Sequence, residues 1–327
     1  MEPEVAKKLR PVVDGEFWMI GAKPDLSGLL PAPGPDGPVH ECVDHHIFRD
    51  AAGTWNLWGC VRHTPVGRIL YRWRAAWLTD SPWEATGEIL RADRGAGESV
   101  DDWGNQEWLQ SPYVVEFEGT YYMFYGGHST GRDAEGNRAV EAGTPAQMQI
   151  CLMTSPDGIQ WQRHRDAEGN SRVFVEPGET RDPCLIRIDG LWHMYYAGYY
   201  DPEKPDEGAG FVVRTSEDLL HWSPWRLVHQ DAAFGAGRCE TECPHVVFRE
   251  GYYYLFRTQN YNKSLTHVFR STDPLDFGVE DAGGKYIGTF PAAAVEIYVT
   301  ADGEFVSSNH DPRAGTQLAR LRWEPDE

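Results

Sequence analysis

SPYVVEFEGTYYMFYGG (111–127), DPCLIRIDGLWHMYYAG (182–198) and CPHVVFREGYYYLFRTQ (243–259) are one motif written three times. In each, a proline (Pro112, Pro183, Pro244) is followed seven positions later by a glycine (Gly119, Gly190, Gly251), and the glycine opens a run of alternating aromatic and apolar residues. An apolar run, a tight turn on an acidic residue and Gly, and a second apolar run form the pattern of a β-hairpin. Two looser copies, DHHIFRDAAGTWNLWGC (44–60) turning at Gly53 and AVEIYVTADGEFVSS (294–308) turning at Gly303, complete a set of five.

The turning glycines are 66, 71, 61 and 52 residues apart, which leaves room in each interval for a four-stranded sheet and one long loop. A second repeat lies between the hairpins: LTDSPWE (78–84), MTSPDGIQW (153–161), RTSEDLLHW (214–222) and RSTDPLDF (270–277) each follow an apolar run and turn on Ser, Thr, Asp and Pro. Their acidic residues are read as turn formers that bind local backbone. No convincing amphipathic helix interrupts the pattern. The expectation is an all-β single domain over 1–327, a five-bladed β-propeller, in which FWMIGA (17–22) supplies a strand that closes the ring against the final blade.

Composition narrows the partners. The 327 residues carry a formal net charge of −20, which disfavours nucleic acid and anionic membrane as partners because both are polyanions. The apolar runs fall short of the roughly 18 to 20 residues that span a bilayer. The N-terminal stretch lacks the apolar segment of a secretory signal, so the expected compartment is cytoplasmic for a native start and secreted or periplasmic for a processed one. Six cysteines without paired CxxC spacing read as buried free thiols rather than a disulfide or zinc framework.

In a propeller the innermost strands converge on the axis, so residues that start them share one funnel although they are distant in sequence. One or two places before the repeat's proline, or its equivalent, stand Asp44, Gln110 and Ser111, Arg181 and Asp182, Glu242, and Ala293 and Ala294. Three of five units thus offer a carboxylate at what the repeat treats as one address. Each alone reads as a turn or strand-start residue. Together they point to a site, because carboxylates gathered at an axis raise one another's pKa, a cost a purely structural site has no reason to bear.

The Arg181-Asp182-Pro183 and Glu242-Cys243-Pro244 segments resemble the signature motifs of the five-bladed glycosidases of glycoside hydrolase families 32, 43, 68 and 117. The repeat carries the resemblance over essentially the whole chain. It implies Asp44 as general base or nucleophile, Asp182 as the residue that steadies the transition state, and Glu242 as general acid. The chemistry agrees, since glycosidic cleavage needs one protonated and one ionised carboxyl, and a third carboxylate keeps the acid's proton in place. The absence of an Asn-Asp-Pro-Asn-Gly opening and of a C-terminal sandwich makes family 43 the nearest pattern, whereas the cysteine after Glu242 is more like family 32. An oligosaccharide or polysaccharide of furanosidic or xylan/arabinan type is the expected substrate. A fructosidase-like retaining hydrolase and a non-catalytic carbohydrate-binding propeller stand as alternatives.

Around these three, His45, Trp103, Gln110, His128, Arg181, Arg257 and Tyr261 are candidates for sugar binding, with Trp108 and Tyr125 on the same loops. His310 resembles a histidine that family 43 members place on the axis near a cation or water. No cofactor is required by the resemblance, and any metal is expected to be calcium-like, since no His/Cys cluster marks zinc. The polar, Gly-rich segment 127–147 is expected to wall the pocket.

Overall fold

A computed structural model describes residues 7–34, 39–98, 107–128, 147–177, 180–199, 208–279 and 281–326. Trp103 and most of segment 127–147 lie outside these residues.

The chain opens with β1 (Leu9–Gly21) and then runs through antiparallel units. The first holds β2 (Glu41–Arg49), β3 (Trp55–Thr64), β4 (Gly67–Ala75) and β5 (Glu84–Leu90). The second holds β6 (Glu107–Phe117), β7 (Thr120–His128) and β8 (Gln147–Ser155), with an outer edge split into β9 (Gln162–Arg163) and β10 (Arg172–Pro177). A short parallel pairing of β4 with β6 joins these two units. The third comprises β11 (Arg181–Ile188), β12 (Leu191–Tyr199), β13 (Gly210–Ser216) and β14 (Arg226–His229). The fourth comprises β15 (Glu242–Arg249), β16 (Tyr252–Asn260), β17 (Leu265–Ser271) and β18 (Tyr286–Phe290). The last is β19 (Glu296–Thr300), β20 (Gly303–Ser308) and β21 (Thr316–Pro325), completed by β1 from the other end of the chain. The closing strand is longer than the FWMIGA stretch, starting at Leu9 and pairing along β21.

The tight turns follow from local chemistry. Between β6 and β7, β11 and β12, and β15 and β16, the two loop residues are Glu118-Gly119, Asp189-Gly190 and Glu250-Gly251, all with positive φ. This is the two-residue turn whose twist matches that of the strands it joins. The outer turns use Ser and Asp as caps: Asp157 Oδ1 accepts from the amides of Ile159 and Gln160 while Ser155 Oγ accepts from that of Gly158, and Ser216 and Asp218 repeat the arrangement.

The core shows why the sheets form a ring. Its apolar side chains fall into five clusters, and each lies between two units that are neighbours around the axis. Alternation along one strand feeds two interfaces: in β12, Met194 and Tyr196 pack against the second unit, while Tyr195 and Ala197 pack against the fourth. The fifth interface joins the last unit to the first, where Ile20, Phe305 and Leu318 meet Leu57, Tyr71 and Trp73. No helix among the described residues is long and apolar enough to cross a membrane.

Closure by β1 has a tight point. Gly315, just before β21, has φ 114°, and a Cβ there would lie 1.9 Å from the carbonyl oxygen of Gly21 in β1. The turn glycine Gly119 has positive φ but open space around it. Gly315→Ala is therefore expected to lose more than about 3 kcal/mol in urea unfolding, and Gly119→Ala about 1 kcal/mol. Equal losses would show that β1 does not constrain the fold.

Candidate active site

Each inner strand carries an irregularity at its start. Asp44, Ser111, Asp182, Cys243 and Ala294 have φ of 44°, 52°, 59°, 50° and 49°, the left-handed region that costs a non-glycine residue about 1 kcal/mol or more. Strand register breaks at the same places in the first four units, between Val43 and His45, Gln110 and Tyr113, Arg181 and Cys184, and Glu242 and His245. Such a bulge re-aims consecutive side chains. It separates what the sequence treated as one address into two rings.

The bulged residues line a narrow axial cavity of about 30 Å³, together with the prolines that follow them in three units. The residues immediately before them, Val43, Gln110, Arg181 and Glu242, line a larger pocket of about 330 Å³, and Asp44 reaches both spaces. Asp44 and Asp182 are therefore equivalent, Glu242 is one residue out of phase with them, and the fourth unit places Cys243 where a third aspartate would stand. The reading of three equivalent carboxylates is corrected accordingly, although all three acids do gather at the axis.

Each acid has different surroundings. Asp44 Oδ1 accepts from the Tyr261 hydroxyl at 2.5 Å and from the Cys243 thiol at 3.4 Å. Burial and the Asp44 charge push the Tyr261 hydroxyl well above its ordinary pKa, and burial with the neighbouring aspartates does the same to Cys243, so both remain protonated donors. Asp182 accepts from Ser111 Oγ at 2.5 Å and from the Cys243 amide at 2.9 Å, and Arg181 Nε lies 3.5 Å away. Burial and the Asp44 charge nevertheless hold its pKa above the usual carboxylate value. Glu242 is pushed up to about 8 by burial, with Asp182 and Asp44 adding to the shift and Arg181, 3.4 Å away, opposing it. Its side chain keeps 22% exposure. A protonated Glu242 thus faces the pocket that Asp44, held as an acceptor by two donors, also lines.

Among the other candidates, Gln110, Arg181 and Tyr261 line the pocket, as does Trp108. Three do not serve as the sequence reading proposed. Arg257 is fully buried, and its guanidinium braces the 231–241 segment by donating to the carbonyls of Asp231, Gly235 and Glu240 and to the Thr241 hydroxyl. His45 faces the fifth unit instead, with Nδ1 on Asn309 and Nε2 on Ser307 Oγ. Tyr125 is buried and donates to Glu98. The side chain of His128 and the whole of Trp103 lie outside the described residues. Two pocket residues escaped the sequence reading, Arg62 and Arg68. They flank the β3–β4 turn, at the same end of the sheet as the start of β2, which was the available signal.

His310 is bonded to Ser308 Oγ and stands edge-on to Phe17. It belongs to no group of three potential ligands among the described residues; the one such group is Asp44, Asp182 and Cys243. The axial lining offers few unengaged protein oxygens toward the six to eight, waters included, that calcium takes. Glu296 is engaged by His46 and Tyr298, the two aspartates are engaged as above, and Pro112, Pro183, Pro244, Ala294 and Val295 make up much of the rest.

No family model matches the sequence, and no curated protein matches it. Solved structures do resemble it. A thermostable family-43 glycoside hydrolase aligns over 88% of this chain and 91% of its own at 17% identity and a TM-score of 0.56. The GH43 endo-arabinanase from Bacillus licheniformis aligns over 94% and 96% at 14% identity and 0.55. An α-L-arabinofuranosidase from Lactobacillus brevis aligns over 88% and 94% at 11% identity and 0.56. At such identities the likeness concerns the β-propeller fold, and function has to be argued from the site.

Holding Glu242 protonated carries a stability cost with a definite sign. A folded-state pKa of about 8 against an ordinary 4.5 means that the folded chain binds the proton more tightly, so stability falls as pH rises from about 4.5 and levels off beyond about 8. Glu242→Gln is therefore expected to melt above wild type, with a Tm gap that widens between pH 5 and pH 8; a gap independent of pH would contradict the shifted pKa. Arg257→Met is expected to lose about 2–4 kcal/mol in denaturant unfolding, because three carbonyls lose their donor. Unchanged stability in that variant would show that the brace carries no load.

Proposed function

We propose that the chain is a glycoside hydrolase that works by carboxylate acid–base chemistry on a glycan of xylan or arabinan type. The observation that carries this reading is a proton-holding acid and a pinned acceptor on one pocket, with the pKa of Glu242 raised to about 8 and Asp44 accepting from Tyr261 and Cys243. A glycosidic bond needs this asymmetry, because the leaving oxygen must gain a proton while a carboxylate acts at the anomeric centre. A carbohydrate-binding module has no use for it.

In the proposed step Glu242 gives its proton to the glycosidic oxygen as the bond from that oxygen to the anomeric carbon breaks. Asp44 takes a proton from the attacking water through Oδ2, the oxygen left without a hydrogen bond among the described residues. The products are an alcohol and a hemiacetal, and one proton has moved from acid to base. Asp182 is a positioning residue: its charge holds the Glu242 proton in place, and through Arg181 it fixes the carboxyl's orientation. The solved structures of like fold include β-xylosidases, an endo-arabinanase and an arabinofuranosidase, which supports a pentose-rich chain as substrate.

A panel of nitrophenyl glycosides and xylo- and arabino-oligosaccharides tests the reading. Turnover should fall by about 10²–10⁴-fold in Glu242→Gln and Asp44→Asn, the range expected for loss of a general acid or base. Wild-type kcat/KM should decline as pH rises through about 8, where Glu242 loses its proton. Glycoside turnover that survives both substitutions would overturn the assignment.

A further inference from the structure

The pocket holds three arginines, Arg62, Arg68 and Arg181, and they are not equally occupied. Arg62 lies 2.6 Å from Glu41 Oε2. Arg181 stands between Asp182 and Glu242. Arg68 pairs with no carboxylate among the described residues. Its guanidinium lies over the Trp108 ring, 3.9 Å from the centroid, and its Nη1 donates to Gln110 Oε1 at 2.5 Å.

The support beneath Arg68 is built for position. Gln110 is 2% exposed, and its Oε1 also accepts from Trp108 Nε1 at 2.9 Å, so one buried oxygen holds both members of the stack. That leaves Gln110 Nε2 with no acceptor among the described residues. The remaining N–H groups of Arg68 make no hydrogen bond among them either. These donors make no ion pair with a carboxylate among the described residues, in a chain whose net charge is −20, and the Arg68 charge reaches Glu242 only far enough to oppose the rise of its pKa. A guanidinium so held presents a fork that matches a planar or tetrahedral oxyanion.

We propose that Arg68 is a specificity determinant that receives an oxyanion carried by the sugar, so that the substrate is an acidic glycan with a uronate or sulfate group beside the cleaved bond. This deepens the glycosidase reading and rests on it. A neutral pentose would leave the stacked guanidinium facing water. A substrate anion would supply the partner that no protein carboxylate provides, and would offset its repulsion by Asp44 at close range.

Isothermal titration calorimetry on the full chain tests this with sugars that differ by one group: D-glucuronate against D-xylose, D-galacturonate against L-arabinose, and D-galactose 6-sulfate against D-galactose. At least one acidic member should bind about tenfold or more tighter than its neutral partner, and the preference should shrink as salt rises. The uronate and sulfate arms identify the source of the anion. In Arg68→Gln the preference should fall to about one, and Arg68→Lys should keep part of it. The salt dependence of wild type stands even if the variants fold poorly. No preference in wild type, a preference untouched by Arg68→Gln, or inorganic phosphate taking the site and diverting turnover to a sugar 1-phosphate would each overturn the proposal. The two readings also fail separately. Acidic sugars that bind through Arg68 without any Glu242-dependent cleavage would sink the hydrolase reading alone, whereas cleavage indifferent to Arg68 would sink this one alone.

Discussion

The five left-handed residues at the inner edge are the constraint on which the site depends. A regular strand would send consecutive side chains to opposite faces of its sheet, into the two apolar interfaces on either side. Extra residues at the start of the inner strands of the first four units break that alternation at the axis, and polar groups can then face a shared space without entering the core. The backbone strain is met five times over, at Asp44, Ser111, Asp182, Cys243 and Ala294. The apolar clusters that lock each sheet against the next hold it in place.

From that geometry the electrostatics follow. Asp44 and Asp182 offer oxygens within 4.8 Å of one another beside a narrow cavity of about 30 Å³, which would be costly without donors aimed at them. Tyr261, Ser111 and the Cys243 thiol and amide supply those donors. Glu242, one residue out of phase, receives none of them. It meets Arg181, which it shares with Asp182 at 3.4 Å and 3.5 Å, and burial dominates its pKa. One backbone device thus produces two carboxylate chemistries, according to which side of the bulge a residue occupies.

How much of this was legible from sequence depends on what each residue signals. The hairpins were, because alternating apolar runs around Gly leave a period-two pattern that no other element produces. The convergence of Asp44, Asp182 and Glu242 was also legible. Their division was written in the offset from proline, one place for Asp182 and Cys243 and two for Glu242, but an offset acquires meaning only once a bulge is known to lie there. Arg257 and His45 misled because proximity in sequence to the site says nothing of direction. The first turns back into a loop brace, and the second crosses to Asn309 in the last unit. Arg62 and Arg68 were hidden because Arg62 lies on β3 just past the end of the repeat copy and Arg68 on β4, a strand that the repeat does not mark.

Ring closure explains why His45 and His46 belong to the fold rather than to the chemistry. Four of the five interfaces join units contiguous in the chain, whereas the fifth must bring the last unit to the first, which places the largest loop-closure cost there. Two devices answer it. The strand β1 completes the sheet of the last unit in register with β21, and His45 and His46 of β2 reach across to Asn309, Ser307 and Glu296. The second device adjoins the axial cavity, which Asp44, His45 and Glu296 all line. The carboxylate proposed to act on substrate and the imidazole that fastens the ring are neighbours in sequence, Asp44 and His45, so any loosening of the closure moves Asp44. Stability and chemistry are coupled at that dipeptide because a single bulge orients both side chains.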